Sequence, residues 1–342
     1  MSMLKTGKTR DLLLVILINF MWATQVPVIR LIGNKLGPIT IAFIPMIIST
    51  LLFIPFLWAE NKKRKQSERR TWKDLKYFII PGLVGIFLMQ FLYTVGSTKT
   101  LASNAGIITL TIPVLVALFA SILLKEKLNI VRVTGFVIAI GGVLLTSLPE
   151  IKGASFSESK YFTGNLIFLF ACCCCAFFNT YCKLLVNKNF TELEILVYSS
   201  LVGCVACIPL LVWVEPFSFS TINHSGSLAL LGLLELSFIV YGVSMLLFFY
   251  ILKRMDVTQA ILGNYLLPFF IALLGIVLLN EKITATMLIG GAIIIISTLM
   301  VTVYEKQLLS LFTRKDKIRL IEGDAKNEVS KKLFNDKNIV HR

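Results

Sequence analysis

The chain has 342 residues, of which 56% are hydrophobic and 15% charged, and its mean hydropathy is +0.81. A soluble domain needs more charge than this to cover its outside, so the composition excludes a soluble globular protein and implies a polytopic membrane protein. The net charge of +15 does not indicate nucleic acid, because Lys and Arg sit in short segments between apolar runs, as membrane flanks do.

In chain order, residues 1–10 are too polar for a cleaved signal peptide and read as a short cytoplasmic N-terminus. Gly7-Lys8-Thr9 ends like a phosphate-binding loop, but position 2 is Ser and no strand precedes it, so no nucleotide site is inferred. Apolar runs of the ~20 residues that a spanning helix needs follow at 11–31, 38–58, 75–95, 101–122, 131–149, 162–185, 191–213, 227–252, 258–279 and 285–304. The longest internal polar stretch, ENKKRKQSERRTWKD at 60–74, separates the second and third. The tail, 305–342, is charged and is expected to be partly disordered. Counted by alternate loops, 28 of the 34 Lys and Arg fall on one side, which predicts that both termini and the 60–74 loop are cytoplasmic.

The two halves are related. Adding 155 to first-half positions carries Ala105 to Ala260, Pro113 to Pro268, Leu123-Leu124 to Leu278-Leu279, Glu126-Lys127 to Glu281-Lys282 and Gly135 to Gly290. Shared leucines are common in apolar helices, but a Pro, a Glu-Lys pair and a Gly in one ungapped register are not. The expected fold is therefore an all-α polytopic membrane protein of about ten transmembrane helices, built as two inverted five-helix repeats at 11–149 and 162–304. Five crossings are odd, so the second copy enters upside down, an arrangement frequent in secondary transporters. Glu126, Lys127, Glu281 and Lys282 are expected to form plain solvated turns before the last helix of each repeat, Lys127 at the cytoplasm and Lys282 on the opposite side.

Two five-helix halves, each with a Pro in its fourth helix, a terminal Leu-Leu-x-Glu-Lys and a following Gly, resemble EamA-type carriers of the drug/metabolite transporter superfamily over roughly residues 12–303. The resemblance implies ten helices, alternating access and small metabolite substrates such as amino acids, often exported.

Glu235 is the acid set deepest in an apolar run, in LALLGLLELSFIVYG. An ionised carboxylate at that depth is costly and faces a cavity or a partner, which makes Glu235 the candidate for proton coupling. Candidate substrate-cavity residues fall on shared helical faces: Asn19, Trp22 and Gln25; Gln90 and Tyr93; Asn104 and Thr111; Asn179; Tyr241; Asn264 and Tyr265. Inward-facing amides of this kind also serve as interhelical hydrogen bonds that hold a bundle. Pro113 and Pro268 are candidate hinges, expected to kink their helices beside one central cavity. Arg30, Lys99 and Lys183 lie near helix ends and are expected to snorkel to the headgroups.

Cys172 to Cys175 splay around a helix at about 100° each and cannot converge on one metal. No metal site, cofactor or structural disulfide is predicted. The expected partners are the lipid bilayer and a small-molecule substrate, with no nucleic acid, and the expected location is the cell membrane. The function expected is a secondary transporter of small organic metabolites, an exporter working by alternating access with possible proton coupling. The alternatives are a non-transporting scaffold or receptor and, with no HExxH or GxSxG present, an intramembrane enzyme.

Overall fold

Hydrocarbon offers backbone N–H and C=O groups no partner, so a chain of this composition must satisfy them within its own elements. A computed structural model describes residues 2–63, 70, 72–125, 129–146, 161–215, 218–252, 266–305, 307–308 and 310, and its elements are helices, with no strand among the described residues. Its helices are α1 (Ser2–Ile32), α2 (Pro38–Lys62), α3 (Lys76–Lys99), α4 (Ala102–Thr109), α5 (Ile112–Leu123) and α6 (Ile130–Thr146). The second half contributes α7 (Phe162–Val186), α8 (Glu192–Val214), the short α9 (Phe219–His224), α10, α11 (Leu267–Leu279) and α12 (Ala285–Thr302). α10 comprises Ser227–Leu234, a π-helical stretch Glu235–Val243, and Ser244–Leu252. Six helices are long and apolar enough to cross a bilayer, or seven with the bent pair α4–α5, while α6, α11 and α12 are apolar but shorter. The expectation of ten spans is thus met by length for six or seven among the described residues.

One end of the bundle gathers the α1–α2 and α3–α4 turns, the start of α7, the end of α8 and the turn that carries Glu281. We call it the Glu281 end. The other is the Glu194 end, where Arg70 makes a bidentate pair with the fully buried Glu194 at 2.8 and 3.0 Å. Glu194 also belongs to the capping box of α8 with Thr191.

The core forms where small residues let helices touch. α6 lies along α12, and a methyl added at Gly142 would sit 2.9 Å from the Gly290 carbonyl. Ser297 of α12 donates to the Gly135 carbonyl at 2.5 Å. Phe168, Cys172 and Ala176 of α7 pack with Ala102 and Ala105 of α4 and Ile271 of α11 in the largest apolar cluster.

α4 and α5 are bent by 40° at a two-residue break just before Pro113. Proline has no N–H and its ring crowds the carbonyl four residues back, so the helix cannot continue unaltered. The backbone tightens instead, with Leu110 N bonding Ile107 O at 3.1 Å and Thr111 N bonding Ile108 O at 3.0 Å. The Thr298 hydroxyl of α12 takes up the Leu110 carbonyl at 2.8 Å. The kink expected at Pro113 is present. At the equivalent place Pro268 lies in the first turn of α11, and Asn264 and Tyr265, which precede its N-cap Leu266, lie outside the described residues.

Several local features recur 155 or 154 positions apart. α5 begins at Ile112 and α11 at Leu267. Lys125, after α5, and Asn280, after α11, have φ of 56° and 53°. π-helical stretches start at Pro81 in α3 and at Glu235 in α10.

Candidate functional site

The π-helical stretch in α10 decides which side chains meet. Its i→i+5 bonds widen the turn, so residues three apart no longer share a face. Phe238 therefore turns outward and is exposed, while Glu235 meets α1 and Tyr241 meets both α1 and α3. Thr24 of α1 donates to Glu235 Oε1, and Glu235 Oε2 is buried with no hydrogen-bond partner. Gln25 of α1 donates to the Tyr241 hydroxyl at 2.6 Å, and Gln90 of α3 donates to the same oxygen. One helical step away, Trp22 Nε1 donates to Ser244 Oγ at 2.9 Å. Three helices thus contribute seven polar side chains to one cluster in the apolar interior: Trp22, Thr24, Gln25, Gln90, Glu235, Tyr241 and Ser244.

The other predicted cavity residues divide. Tyr93 packs its ring on Phe168 at 4.7 Å and reaches the apolar cluster that flanks Tyr241. Asn104 is buried with an unbonded Oδ1, and Thr94 has an unbonded Oγ1 on the α3 face that carries Gln90. Asn19 turns its amide back to the Val15 carbonyl at 2.9 Å, and Thr111 bonds the Ile108 carbonyl at 2.7 Å, so both serve their own helices. Asn179 does not join the cluster; it is exposed on α7 and lies 3.7 Å from the Cys175 sulfur.

The turns before α6 and α12 were expected to be solvated. Glu126 and Lys127 lie outside the described residues, and Lys282 is exposed. Glu281 corrects the expectation, because it is buried. Its carboxylate accepts Ala102 N at 2.7 Å, Ser103 N at 2.9 Å and the Ser103 hydroxyl at 2.7 Å. It caps the start of α4, where free amides and the helix dipole favour an anion. Arg30 is corrected with it: its Nη1 lies 3.5 Å from Glu281 Oε1, with the side chain only 20% exposed, so it does not snorkel. The unpaired N-terminal amides of the α4 segment explain why a carboxylate is drawn inward. That demand is invisible until the chain folds.

Two cavities open at the Glu281 end. One is lined by Lys35, Ser220, His224, Ser225 and Gly226, the other by Arg30, Thr98, Lys99, Tyr161, Thr163 and Gly164. Neither touches Pro113 or Pro268, so the central cavity expected beside both prolines is not one of these. Pro268 instead approaches α4, the helix that ends at the break before Pro113, since a methyl on Gly106 would sit 3.2 Å from the Pro268 carbonyl.

The molecule is thus a helical membrane bundle with a polar cluster inside it. Residues 9–148 and 162–303 each match the model of the EamA-like transporter family, and the chain belongs to that family. A WAT1-related chloroplastic protein of Arabidopsis thaliana is 26% identical over 82% of this chain and 67% of its own length. An uncharacterized transporter of Archaeoglobus fulgidus is 25% identical over 86% of this chain and 98% of its own. An S-adenosylmethionine uptake transporter of Rickettsia felis is 24% identical, with 82% and 88% covered. A solved crystal structure superimposes with a TM-score of 0.55 at 19% identity, covering 86% of this chain and 98% of its own, which supports the fold. The protein is an integral membrane transporter and not an enzyme.

Proposed function

We propose that this protein is a secondary carrier that moves small organic metabolites, amino acids among them, outward across the cell membrane by alternating access, with Glu235 exchanging a proton. The observation that carries the reading is the Glu235 carboxylate. It sits among Thr24, Gln25, Gln90 and Tyr241 with one oxygen buried and unpaired. An unpaired carboxylate oxygen in an apolar bundle is expensive unless a proton or a ligand group satisfies it during the working cycle. Gln25, Gln90 and Tyr241 supply the convergent donors and acceptors that orient a polar solute.

Two family matches, at 9–148 and 162–303, support two repeats, and the features recurring 155 positions apart support their correspondence. In this reading the repeats, 11–149 and 162–304, are inverted, and the 1–10 segment and the 305–342 tail are cytoplasmic. Pro113 and Pro268 are hinges at similar depth, with Trp22, Tyr93, Asn104 and Thr111 on the solute path. The Glu281 end faces outward.

The reading is tested with the purified protein in proteoliposomes loaded with a radiolabelled amino acid mixture. Efflux above that of protein-free vesicles, stimulated by a pH gradient, supports it. Labelled solute retained to the same extent in both would remove it.

A further inference from the structure

We propose that the cavity lined by Arg30, Thr98, Lys99, Tyr161, Thr163 and Gly164 binds the anionic group of the transported solute, a carboxylate or a phosphate. The proposal rests on the carrier reading. The cavity holds about 470 Å³, within the span of small-molecule sites. Among the described residues that line it, two of six are cationic and none is acidic.

Glu281 offsets only part of this charge, its Oε1 lying 3.5 Å from Arg30 Nη1. Its two oxygens also accept the Ala102 and Ser103 amides and the Ser103 hydroxyl, so one carboxylate is shared between Arg30 and the start of α4. Arg30 stands 3.5 Å away, and its Nη1 is buried without a hydrogen bond. A guanidinium offers five N–H donors in a planar fork that suits an oxyanion, and with Nη1 set against Glu281 it is the exposed 20% of the side chain that lines the cavity. Lys99 is exposed at the end of α3 and adds a second charge with rotatable donors. Thr163 adds an exposed hydroxyl that can donate, whereas the Thr98 hydroxyl already donates to the Val95 carbonyl at 2.9 Å. The floor is fixed, because Gly164 presses against the end of α3: a methyl there would lie 2.2 Å from the Lys99 carbonyl oxygen.

The location ties this cavity to the polar cluster. Arg30 and Gln25 are on the same helix, five residues apart, or about 7.5 Å at 1.5 Å per residue. An anion held at Arg30 would place the rest of a small solute within one or two turns of Gln25 and Tyr241. The cavity would thus act as the outer station of the path and select solutes that carry an anionic group.

The test uses the full chain in phosphatidylcholine nanodiscs with its lysines reductively ¹³C-methylated, which keeps their charge. The Lys99 resonance is assigned by its loss in Lys99→Arg. Sodium lactate, inorganic phosphate and uncharged lactamide are titrated at constant ionic strength. The expected result is a saturable Lys99 shift with lactate or phosphate and none with lactamide. Arg30→Gln should weaken it about tenfold, the loss of one charge-assisted hydrogen bond. Thr163→Glu, which puts an acid on the exposed rim without touching the Arg30–Glu281 pair, should abolish it and carries the test if Arg30→Gln does not fold. No saturable shift with either anion, or an equal shift with lactamide, would overturn the proposal. So would a shift produced only by adding phosphatidylglycerol to the discs, which would assign the cavity to a lipid headgroup. Anion binding in protein that moves no solute would instead contradict the carrier reading and leave the site standing.

Discussion

Glu60 and Glu215 stand at corresponding positions of the two halves and bond to the start of each other's second helix. Glu215, just past α8, accepts the Ile39 and Thr40 amides of α2 at 3.0 and 2.9 Å. Glu60, near the end of α2, accepts the hydroxyl of Thr191, the N-cap of α8, at 2.7 Å. The two contacts lie at opposite ends of the bundle, as inverted copies of one unit would place them.

The Glu215 contact predicts a local effect. Glu215→Ala should leave two α2 amides unsatisfied and cost about 1 kcal/mol, the usual worth of a helix cap. Hydrogen exchange at Ile39 and Thr40 should quicken while amides in the middle of α2 do not change. Gly37→Ala should do the same, because its methyl would fall 2.1 Å from the Glu215 carboxyl carbon. Unchanged exchange in both variants would mean that the carboxylate is not the cap.

Glu281 predicts a larger effect. With its side chain 3% exposed, Glu281→Ala removes the cap of α4 and strands Arg30, at a cost of about 3 kcal/mol. Arg30→Gln made in that background should recover part of the loss, since it removes the stranded charge. Thermal unfolding in detergent measures both. Additive losses would show that the two residues do not interact.

The break before Pro113 predicts a kinetic effect. Pro113→Ala should straighten α4–α5 and slow the exchange between inward- and outward-open states more than it weakens solute binding. Thr298→Val, which removes the hydroxyl bonded to the Leu110 carbonyl, should act on the same step. Single-molecule distance measurements across the two ends would report the exchange rate. Rates equal to the parent's in both variants would show that the break is not a hinge.

Orientation is open to a direct check. A single cysteine at Asn61, on a cysteine-free background, should label with a membrane-impermeant reagent only after the cells are opened. Labelling from outside intact cells would reverse the topology.

Much of this was legible in the sequence because it depends on apolar length and register. The helices follow from the hydrophobic runs, the break at Pro113 from the chemistry of proline, and the pairing of distant segments from the 155-residue offset. Trp22, Gln25, Gln90, Tyr241 and Glu235 could be gathered as inward-facing polar groups. Their actual partners could not, because the π-helical stretch at Glu235–Val243 rotates that face away from a 3.6-residue count. Thr24 and Ser244 carry no such signal, because small hydroxyls in helices usually bond their own backbone, as these two also do with Met21 and Val240. Glu60 and Glu215 were within reach of the offset, but they sit at helix ends where acids are unremarkable. Glu281 looked like a solvated turn because its partners, the first amides of α4, are 178 and 179 residues away.

The central claim is that the cluster around Glu235 couples solute movement to protons. The most direct measurement is efflux from proteoliposomes at varied pH gradient, comparing the parent with Glu235→Gln. The glutamine keeps the size and the bond from Thr24 but cannot exchange a proton. Solute exchange should persist in the variant while stimulation by the gradient disappears. A variant that is driven by the gradient as strongly as the parent would contradict it.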